Sequence, residues 1–327
     1  LIFMATLRAP SGTKTADKAN DNLIRPLFEG KIDVIGDIHG EAGALTTLLD
    51  RLGYDGFGRH ADGRRLVFVG DLVDRGPNSV AVCDVVRGLV ESGNAQMVLG
   101  NHELNLLLGK HKHGNHWFYG ETEVIRKDQK QKSYQVLAPS EEWRKKTLDF
   151  FRSQPVILER KDVIVVHAAI LPESLKALRE WDDTKGKEGG AGSGVLGAYK
   201  HFADIAAKKI ENLKEKGRKE GEEEEDEVKI QIELTAQNCN PIKVASSGTE
   251  ERAAAKFFAG GKWRQVKRGK WWESYDKEPL VVVGHYWRRF APPNPNIIKG
   301  FNPSGENPFA GHGDFSIVGG GGGGCGS

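Results

Sequence analysis

Short apolar segments recur along the chain, separated by longer segments whose apolar residues fall on one side of a helix. The short segments are rich in valine and isoleucine, which is typical of strands buried on both faces. Between them, the leucine spacing at 45–52 and the valine spacing at 82–89 predict helices, and Ser140 begins a third helix that ends before Pro155. This alternation predicts a layered α/β fold. The predicted strands are Ile32–Ile35, Leu66–Val69, Met97–Leu99, Val163–Val166 and Leu280–Val283.

Each predicted strand is followed by residues that can bind a metal ion. If the strands lie side by side, their carboxyl ends bring these residues to one edge. A glycine before four of the five clusters lets the backbone turn sharply there. A single strand ending of this kind is commonly an ordinary turn, but five in one chain favour a metal site. Oxygen and imidazole donors without thiolates suit Mn²⁺, Fe or Zn²⁺. The candidate ligands are Asp37, His39, Asp71, Asn101, His167 and His285.

The motifs around these residues resemble the signature of the phosphoprotein phosphatase group of calcineurin-like metallophosphoesterases. They are Gly-Asp-Ile-His-Gly at 36–40, Gly-Asp-Leu-Val-Asp-Arg-Gly at 70–76, Gly-Asn-His-Glu at 100–103, and the later strand-end histidines. The resemblance covers roughly residues 30–170 and 262–318 and implies a central mixed β-sandwich flanked by helices. It also implies two divalent ions, with Mn²⁺ favoured over Fe or Zn²⁺, and attack on a phosphate ester by a metal-bound hydroxide.

The resemblance implies a role for each candidate residue, and elementary chemistry agrees. Two divalent ions and two carboxylates leave a net positive charge that favours a phosphate ester. A guanidinium group suits phosphate binding, and a histidine can supply a proton near neutral pH. The implied metal ligands are Asp37 and His39 for the first ion, Asp71 as the bridge, and Asn101, His167 and His285 for the second ion. The other implied roles are phosphate binding by Arg75 and Asn101, and general acid catalysis by His102, oriented by Asp74.

The substrate depends on how many arginines face the site. Arg268 is the candidate for a second phosphate-binding arginine, and Arg264 is its competitor. Arg288 and Arg289 follow the last predicted ligand. This supply fits one phosphate group better than a polyphosphate chain. We therefore expect a phosphomonoesterase of the Ser/Thr phosphatase type that acts on a phosphorylated protein or a small phosphate ester. The alternatives are a symmetrical dinucleoside tetraphosphate hydrolase and, from another class, a catalytically silent binding scaffold.

Composition narrows the range of partners and compartments. The net charge is +2 and offers no electrostatic argument for nucleic-acid binding. No apolar run approaches the roughly 18 residues of a membrane span, so we expect no membrane partner. Three scattered cysteines favour a reducing compartment, and we expect a cytoplasmic protein.

Two polar clusters have open interpretations. The insertion that carries the acidic run Glu222–Glu227 is either a solvated loop or a lid that selects substrates or docks a basic partner. The patch of His111, His113 and His116 is either a polar loop or a third metal site. The predicted domain organisation is a polar tail at 1–28, a metallophosphoesterase domain at 29–318 with a partly disordered insertion at 184–262, and a Gly-rich tail at 319–327.

Overall fold

The structure of the protein is a computed structural model. It describes residues 21–112, 114–121, 124–127, 130–133, 139–186, 192–220, 225–259, 262–276, 278–286 and 315–318. The strands are β1 (Ile24–Pro26), β2 (Ile32–Ile35), β3 (Arg65–Phe68), β4 (Ala95–Met97), β5 (Val124–Lys127), β6 (Lys130–Ser133), β7 (Ile157–Glu159), β8 (Val163–Val166), β9 (Glu250–Ala259), β10 (Lys262–Arg268), β11 (Leu280–Val282) and β12 (Phe315–Val318). The helices are α1 (Ala42–Arg51), α2 (Ser79–Glu91), α3 (Asn101–Leu107), α4 (Glu141–Arg152), α5 (Pro172–Trp181), α6 (Val195–Glu220), α7 (Glu225–Asn238) and α8 (Pro241–Ser247).

Two four-stranded sheets form the centre of the fold. The first has the order β12-β2-β3-β4, and all its neighbouring strands are parallel. The second has the order β1-β7-β8-β11 and is parallel except where β7 meets β8. The predicted strands correspond to β2, β3, β4, β8 and β11, so the predicted mixed sandwich is confirmed.

Apolar side chains fill the space between the two sheets. Val34 and Val67 of the first sheet share one buried cluster with Val165 of the second. Because successive side chains of a strand point to opposite faces, Phe68 joins a second, larger cluster with helical residues such as Val86. The sheets are therefore packed on each other on one face and covered by helices on the other.

The three predicted helices form as α1, α2 and α4, and side chains cap the starts of α2 and α4. The Asn78 side chain accepts a hydrogen bond of 3.0 Å from the Ala81 backbone amide at the start of α2. Ser140 accepts one of 3.1 Å from the Trp143 amide at the start of α4, which ends at Arg152. None of the helices in the described part of the chain combines the length and apolar character that a membrane crossing needs.

Helices and strands occur within the segments that the sequence predicts as the insertion and the polar tail. The described part of 184–262 contains α6, α7, α8 and the β9–β10 hairpin. In α8, Ile242 and Val244 are buried in the main core, and Ala245 accepts a hydrogen bond of 2.8 Å from the Ala168 amide. Strand β1 pairs with β7 although it lies inside the predicted polar tail. The tail at 319–327 lies outside the described residues.

Candidate active site

The predicted site residues lie at the carboxyl ends of five strands drawn from both sheets. Those that follow β2, β3 and β4 come from the parallel sheet, and those that follow β8 and β11 come from the mixed sheet. The packing of the two sheets therefore brings residues from both of them into one site. The residues of the first sheet are Asp37, His39, Asp71, Asp74, Arg75, Asn101 and His102, and those of the second are His167 and His285.

Asp71 lies at the centre of this site. Its Oδ2 is 3.3 Å from His167 Nε2, 3.7 Å from His39 Nε2 and 3.9 Å from His102 Nε2. Two groups of candidate metal ligands contain it, one with His39 and His102 and the other with His167 and His285. Burial alone would raise the pKa of Asp71, but the surrounding imidazoles lower it well below its ordinary value. The Asp71 carboxylate is therefore an anion that belongs to both groups of candidate metal ligands.

Two imidazoles are oriented by the backbone. His39 Nδ1 donates to the Val73 carbonyl at 2.9 Å, and His167 Nδ1 donates to the Val69 carbonyl at 2.8 Å. The Nε2 atom of each ring is thereby turned toward Asp71, where a metal ion could be bound. His167 Nε2 is fully buried and has no hydrogen-bond partner within the described chain. Burial lowers the pKa of His167, but the Asp71 charge outweighs it and raises the pKa to about 9. A buried nitrogen aimed at a carboxylate fits a cation between them.

Asp37 and Asn101 link the two sheets through His285. The His285 backbone amide donates to both carboxylate oxygens of Asp37, at 3.0 and 3.1 Å. The His285 Nδ1 atom is 2.9 Å from Asn101 Oδ1. The structure thus groups His39 with Asp71 and His102, whereas Asp37 reaches the site beside His285. All six predicted ligands are gathered in one place.

His102 is held by a carboxylate that has its own supports. His102 Nδ1 is 2.5 Å from Asp74 Oδ2, and Trp117 Nε1 donates to Asp74 Oδ1 at 2.8 Å. The Asp74 amide donates to Ser79 Oγ at 2.9 Å. Burial lowers the pKa of His102, but Asp71 and Asp74 outweigh it, and the net shift is upward. This environment favours the protonated imidazole, the form that a general acid needs.

The arginines differ in their distance from this centre. Arg75 Nη1 is 3.0 Å from His39 Nε2, and Arg75 Nη2 is 3.3 Å from His102 Nε2. The Arg268 guanidinium carbon is 5.9 Å from the centroid of the Tyr286 ring, next to the last predicted ligand. Arg264 donates instead to the Ala259 carbonyl of its own hairpin. The structure therefore brings Arg75 into the site and Arg268 to its edge, whereas Arg288 and Arg289 lie outside the described residues.

Sequence reasoning gave no role to Glu103, and it considered Trp117 only for core packing, the cleft wall or base stacking, without its contact to Asp74. Glu103 is fully buried and accepts hydrogen bonds from the amides of Asp71 and Leu72 at 2.8 Å and of Gly100 at 3.0 Å. Burial and the nearby Asp71 carboxylate raise the pKa of Glu103 to about 7. Glu103 follows His102 in the Gly-Asn-His-Glu motif, and this position could have indicated that it has a role in the site. Trp117 lies outside every motif and gave no such indication.

The backbone is strained at the site. Among the described residues, five that are not glycine have a positive φ, a conformation that costs about 1–3 kcal/mol each and is concentrated at functional sites. Their angles are 46° at His39, 50° at Asp71, 72° at Asp74, 67° at Arg75 and 62° at His285. All five belong to the predicted site, so the loops are fixed in conformations that the surrounding contacts enforce.

Two glycines allow the loops to approach each other closely. A Cβ atom on Gly100 would overlap the carboxylate and the amide nitrogen of Asp71. A Cβ atom on Gly284 would overlap the carboxylate of Asp37. These motif glycines are therefore required by the packing of the ligand loops.

The sequence pattern of the family described as calcineurin-like phosphoesterase matches residues 30–219, which is more than half of the chain. The chain belongs to this family. The predicted metallophosphoesterase is thereby confirmed at the level of the family, and the gathered ligands of this phosphoesterase fit the divalent ions that the family uses.

Several curated relatives match part of this phosphoesterase. A protein of Geobacillus sp. (strain WCH70) named bis(5'-nucleosyl)-tetraphosphatase PrpE [asymmetrical] is 39% identical over 150 residues, which cover 43% of this chain and 58% of that protein. The Bacillus subtilis (strain 168) protein of the same name is 36% identical over 154 residues, covering 44% and 59%. The chain thus spans less than two thirds of these relatives. Among solved structures, a protein serine/threonine phosphatase from Saccharomyces cerevisiae is 20% identical, with a TM-score of 0.31, covering 43% of this chain and 42% of that one.

Proposed function

We propose that this protein hydrolyses phosphate monoesters with the help of two divalent metal ions. Asp37, His39 and Asp71 would hold one ion, and Asp71, Asn101, His167 and His285 would hold the other. The position of Asp71 in both groups of candidate ligands supports its assignment as the bridge. When bound, two such ions offset the charge of a phosphate and acidify a water molecule. Of the ions that suit these donors, we expect Mn²⁺.

The other polar side chains of the site supply binding and proton transfer. Arg75 presents two guanidinium nitrogens beside His39 and His102, and would bind one phosphate oxygen there. His102 would donate a proton from Nε2 to the departing alkoxide, because its Nδ1 is held by Asp74. Arg268 lies beside Tyr286 and would bind a phosphate oxygen from the edge of the site.

The observation that carries this proposal is the chain of contacts from Trp117 through Asp74 to His102. It buries a carboxylate whose two oxygens each have a directed partner, and it points an imidazole toward the shared ligand Asp71. A binding scaffold has no need of an imidazole positioned in this way. A phosphoesterase needs one to protonate its leaving group.

A matched pair of chromogenic substrates tests the proposal. The chelated protein, reconstituted with Mn²⁺, should release nitrophenol from 4-nitrophenyl phosphate with a higher kcat/KM than from bis(4-nitrophenyl) phosphate. The two substrates share a leaving group and differ in whether the phosphate is a monoester. Faster turnover of the diester would contradict the monoesterase proposal, and no turnover of either by the reconstituted protein would favour the binding scaffold.

The native substrate has two candidates. A phosphorylated protein or a small phosphate ester suits a centre to which Arg75 is brought, and the acidic residues of α7 offer a surface for a basic partner. A dinucleoside tetraphosphate is favoured by the names of the relatives, which specify the asymmetrical reaction. We expect phosphoserine or phosphothreonine peptides to have the higher kcat/KM. Faster cleavage of diadenosine tetraphosphate would reverse that ranking, and its products would distinguish symmetrical cleavage from the asymmetrical cleavage in the relatives' names.

A further inference from the structure

Among the described residues, a third group of candidate metal ligands lies in the loop that follows α3, apart from the two groups of the active site. His116 Nδ1 is 2.8 Å from Glu121 Oε2, and one donor atom from each of His111, His116 and Glu121 lies within 4.8 Å of the other two. We propose that these three residues bind a Zn²⁺ ion that is additional to the two ions of the active site. His113, the remaining residue of the His-rich patch, lies outside the described residues.

The loop holds these side chains in place without an ion. The Asn115 side chain is fully buried, accepts a hydrogen bond of 2.8 Å from the Lys112 amide and donates one of 2.9 Å to the Lys110 carbonyl. The His111 ring stacks on Tyr119 with centroids 3.6 Å apart and planes 20° apart. The turn and the His111 ring are therefore positioned before an ion binds, which lowers the entropy cost of binding.

The donor chemistry favours zinc. Two imidazoles and one carboxylate are a donor set that open, four-coordinate zinc sites use, with water in the fourth position. The His116 and Glu121 side chains are 38% and 55% exposed, so solvent can provide that water. Tetrahedral coordination at about 2.0–2.2 Å places donor atoms roughly 3.4 Å apart, which side-chain rotation can reach from the observed separation. Mg²⁺ and Ca²⁺ prefer sets made only of oxygen.

The proposed ion lies one residue from a support of the active site. His116 begins the 3-10 helix His116–Tyr119, and the next residue, Trp117, donates its indole hydrogen bond to Asp74. An ion bound by His111 and Glu121 on either side of this turn would restrict its opening. Zinc at this loop would thus slow local unfolding of the segment that supports the pair of Asp74 and His102.

Zinc stoichiometry tests the proposal directly. The chelated full-length protein is titrated with Zn²⁺ in competition with a chromogenic chelator, in parallel with His116→Ala, Glu121→Gln and the control His201→Ala, which removes an exposed histidine from α6. Wild type and His201→Ala should bind one equivalent more than His116→Ala. Glu121→Gln should bind the additional ion at least about tenfold more weakly. Equal stoichiometry and affinity in wild type and both loop variants, with unchanged circular dichroism, overturns the site.

Hydrogen–deuterium exchange locates the additional ion. Zn²⁺ should slow amide exchange across residues 110–121 in wild type and in His201→Ala, and this protection should be lost in His116→Ala. Protection that persists in His116→Ala would place the additional ion elsewhere and overturn the assignment. Because neither readout measures phosphatase activity, failure of the zinc site and failure of the proposed hydrolase are distinguishable.

Discussion

The active-site loops and the segment of α7 with the β9–β10 hairpin place their charges in opposite ways. In the loops, the exposed fractions of Asp71 and Asp74 are 2% and 1%, and each carboxylate has a hydrogen-bond contact with His102. In the other segment, Asp226 pairs with Lys256 at 2.7 Å while both side chains are more than half exposed. Glu227 pairs with Arg252 in the same exposed manner. Both regions are rich in charged side chains, but only the active-site loops bury them.

This difference determines what a substitution should cost. A buried carboxylate keeps its charge only because specific donors surround it, so the loss of one partner leaves an uncompensated group. An exposed pair is screened by water and salt, and its loss is nearly neutral. Single substitutions of charged residues should therefore have large effects in the active site and small effects in the α7 segment.

The largest expected effect comes from Asp71→Asn. This change removes the charge shared by both groups of ligands, and it should nearly abolish both metal binding and hydrolysis of 4-nitrophenyl phosphate. We expect a loss of more than ~10³-fold, since a single electrostatic contact to a transition state is worth ~10²–10³. Metal content by mass spectrometry and kcat/KM measure the two effects.

Asp226→Asn is the matched control for Asp71→Asn, because it makes the same chemical change at an exposed position. It should keep wild-type metal content and turnover. Chelation of the wild-type protein should reproduce the Asp71→Asn defect, and added Mn²⁺ should reverse it. Full turnover by metal-free wild-type protein would refute the two-metal mechanism.

The second-largest effect is expected from His102→Asn. Proton donation by a positioned side chain is worth about 10²–10⁴ in rate. The loss should reach that size for alkyl phosphates and be smaller for aryl phosphates, whose leaving group needs no proton. The ratio of the two kcat values is the measurement, and His60→Asn is a control because His60 contacts the Leu52 carbonyl outside the site. Equal losses on both substrates would assign His102 another role.

The gathering of the strand-end residues could be predicted from the sequence because their signals are local. His167 directly follows an apolar strand, Asp71 follows one after Val69 and Gly70, and both strands are largely buried, as predicted. The contact of the His285 amide with Asp37 joins positions 248 residues apart in the sequence. Only the packing of the second sheet on the first brings them together, and no pattern within either segment encodes that distance.

Short elements account for the boundaries that the sequence did not predict. Strand β1 has three residues, too few to show an alternation, and it is specified by pairing with β7. Helix α8 has seven, and its burial beside Ala168 is a tertiary contact inside a segment that otherwise reads as polar. Trp117 reaches Asp74 across 43 positions without a motif of its own. Such contacts depend on the folded arrangement, and no periodic pattern in the sequence predicts them.

A smaller effect is expected from Trp117→Phe, which removes the indole donor from Asp74. A hydrogen bond to a charged group is worth about 1.5–3 kcal/mol, so the alkyl phosphatase rate should fall by roughly tenfold or somewhat more. Trp181→Phe is the matched control, because Trp181 is also buried and donates an indole hydrogen bond of 2.9 Å to the Ser193 carbonyl, away from the site. If both variants lose rate equally at temperatures where both are folded, the effect of Trp117 is general and not transmitted through Asp74.

The smallest effect is expected from neutralising the exposed pairs with the double variant Asp226→Asn and Glu227→Gln. Both carboxylates lie at the surface, where ion pairs contribute little, so the turnover of 4-nitrophenyl phosphate should stay within about twofold of wild type. If this surface docks basic substrates, kcat/KM for lysine-rich phosphopeptides should fall while that for acidic phosphopeptides does not. Glu211→Gln, which removes another exposed carboxylate from α6, is the control for a general change in surface charge. A collapse of small-substrate turnover in the folded double variant would make this surface part of the active site and end the contrast between the two regions.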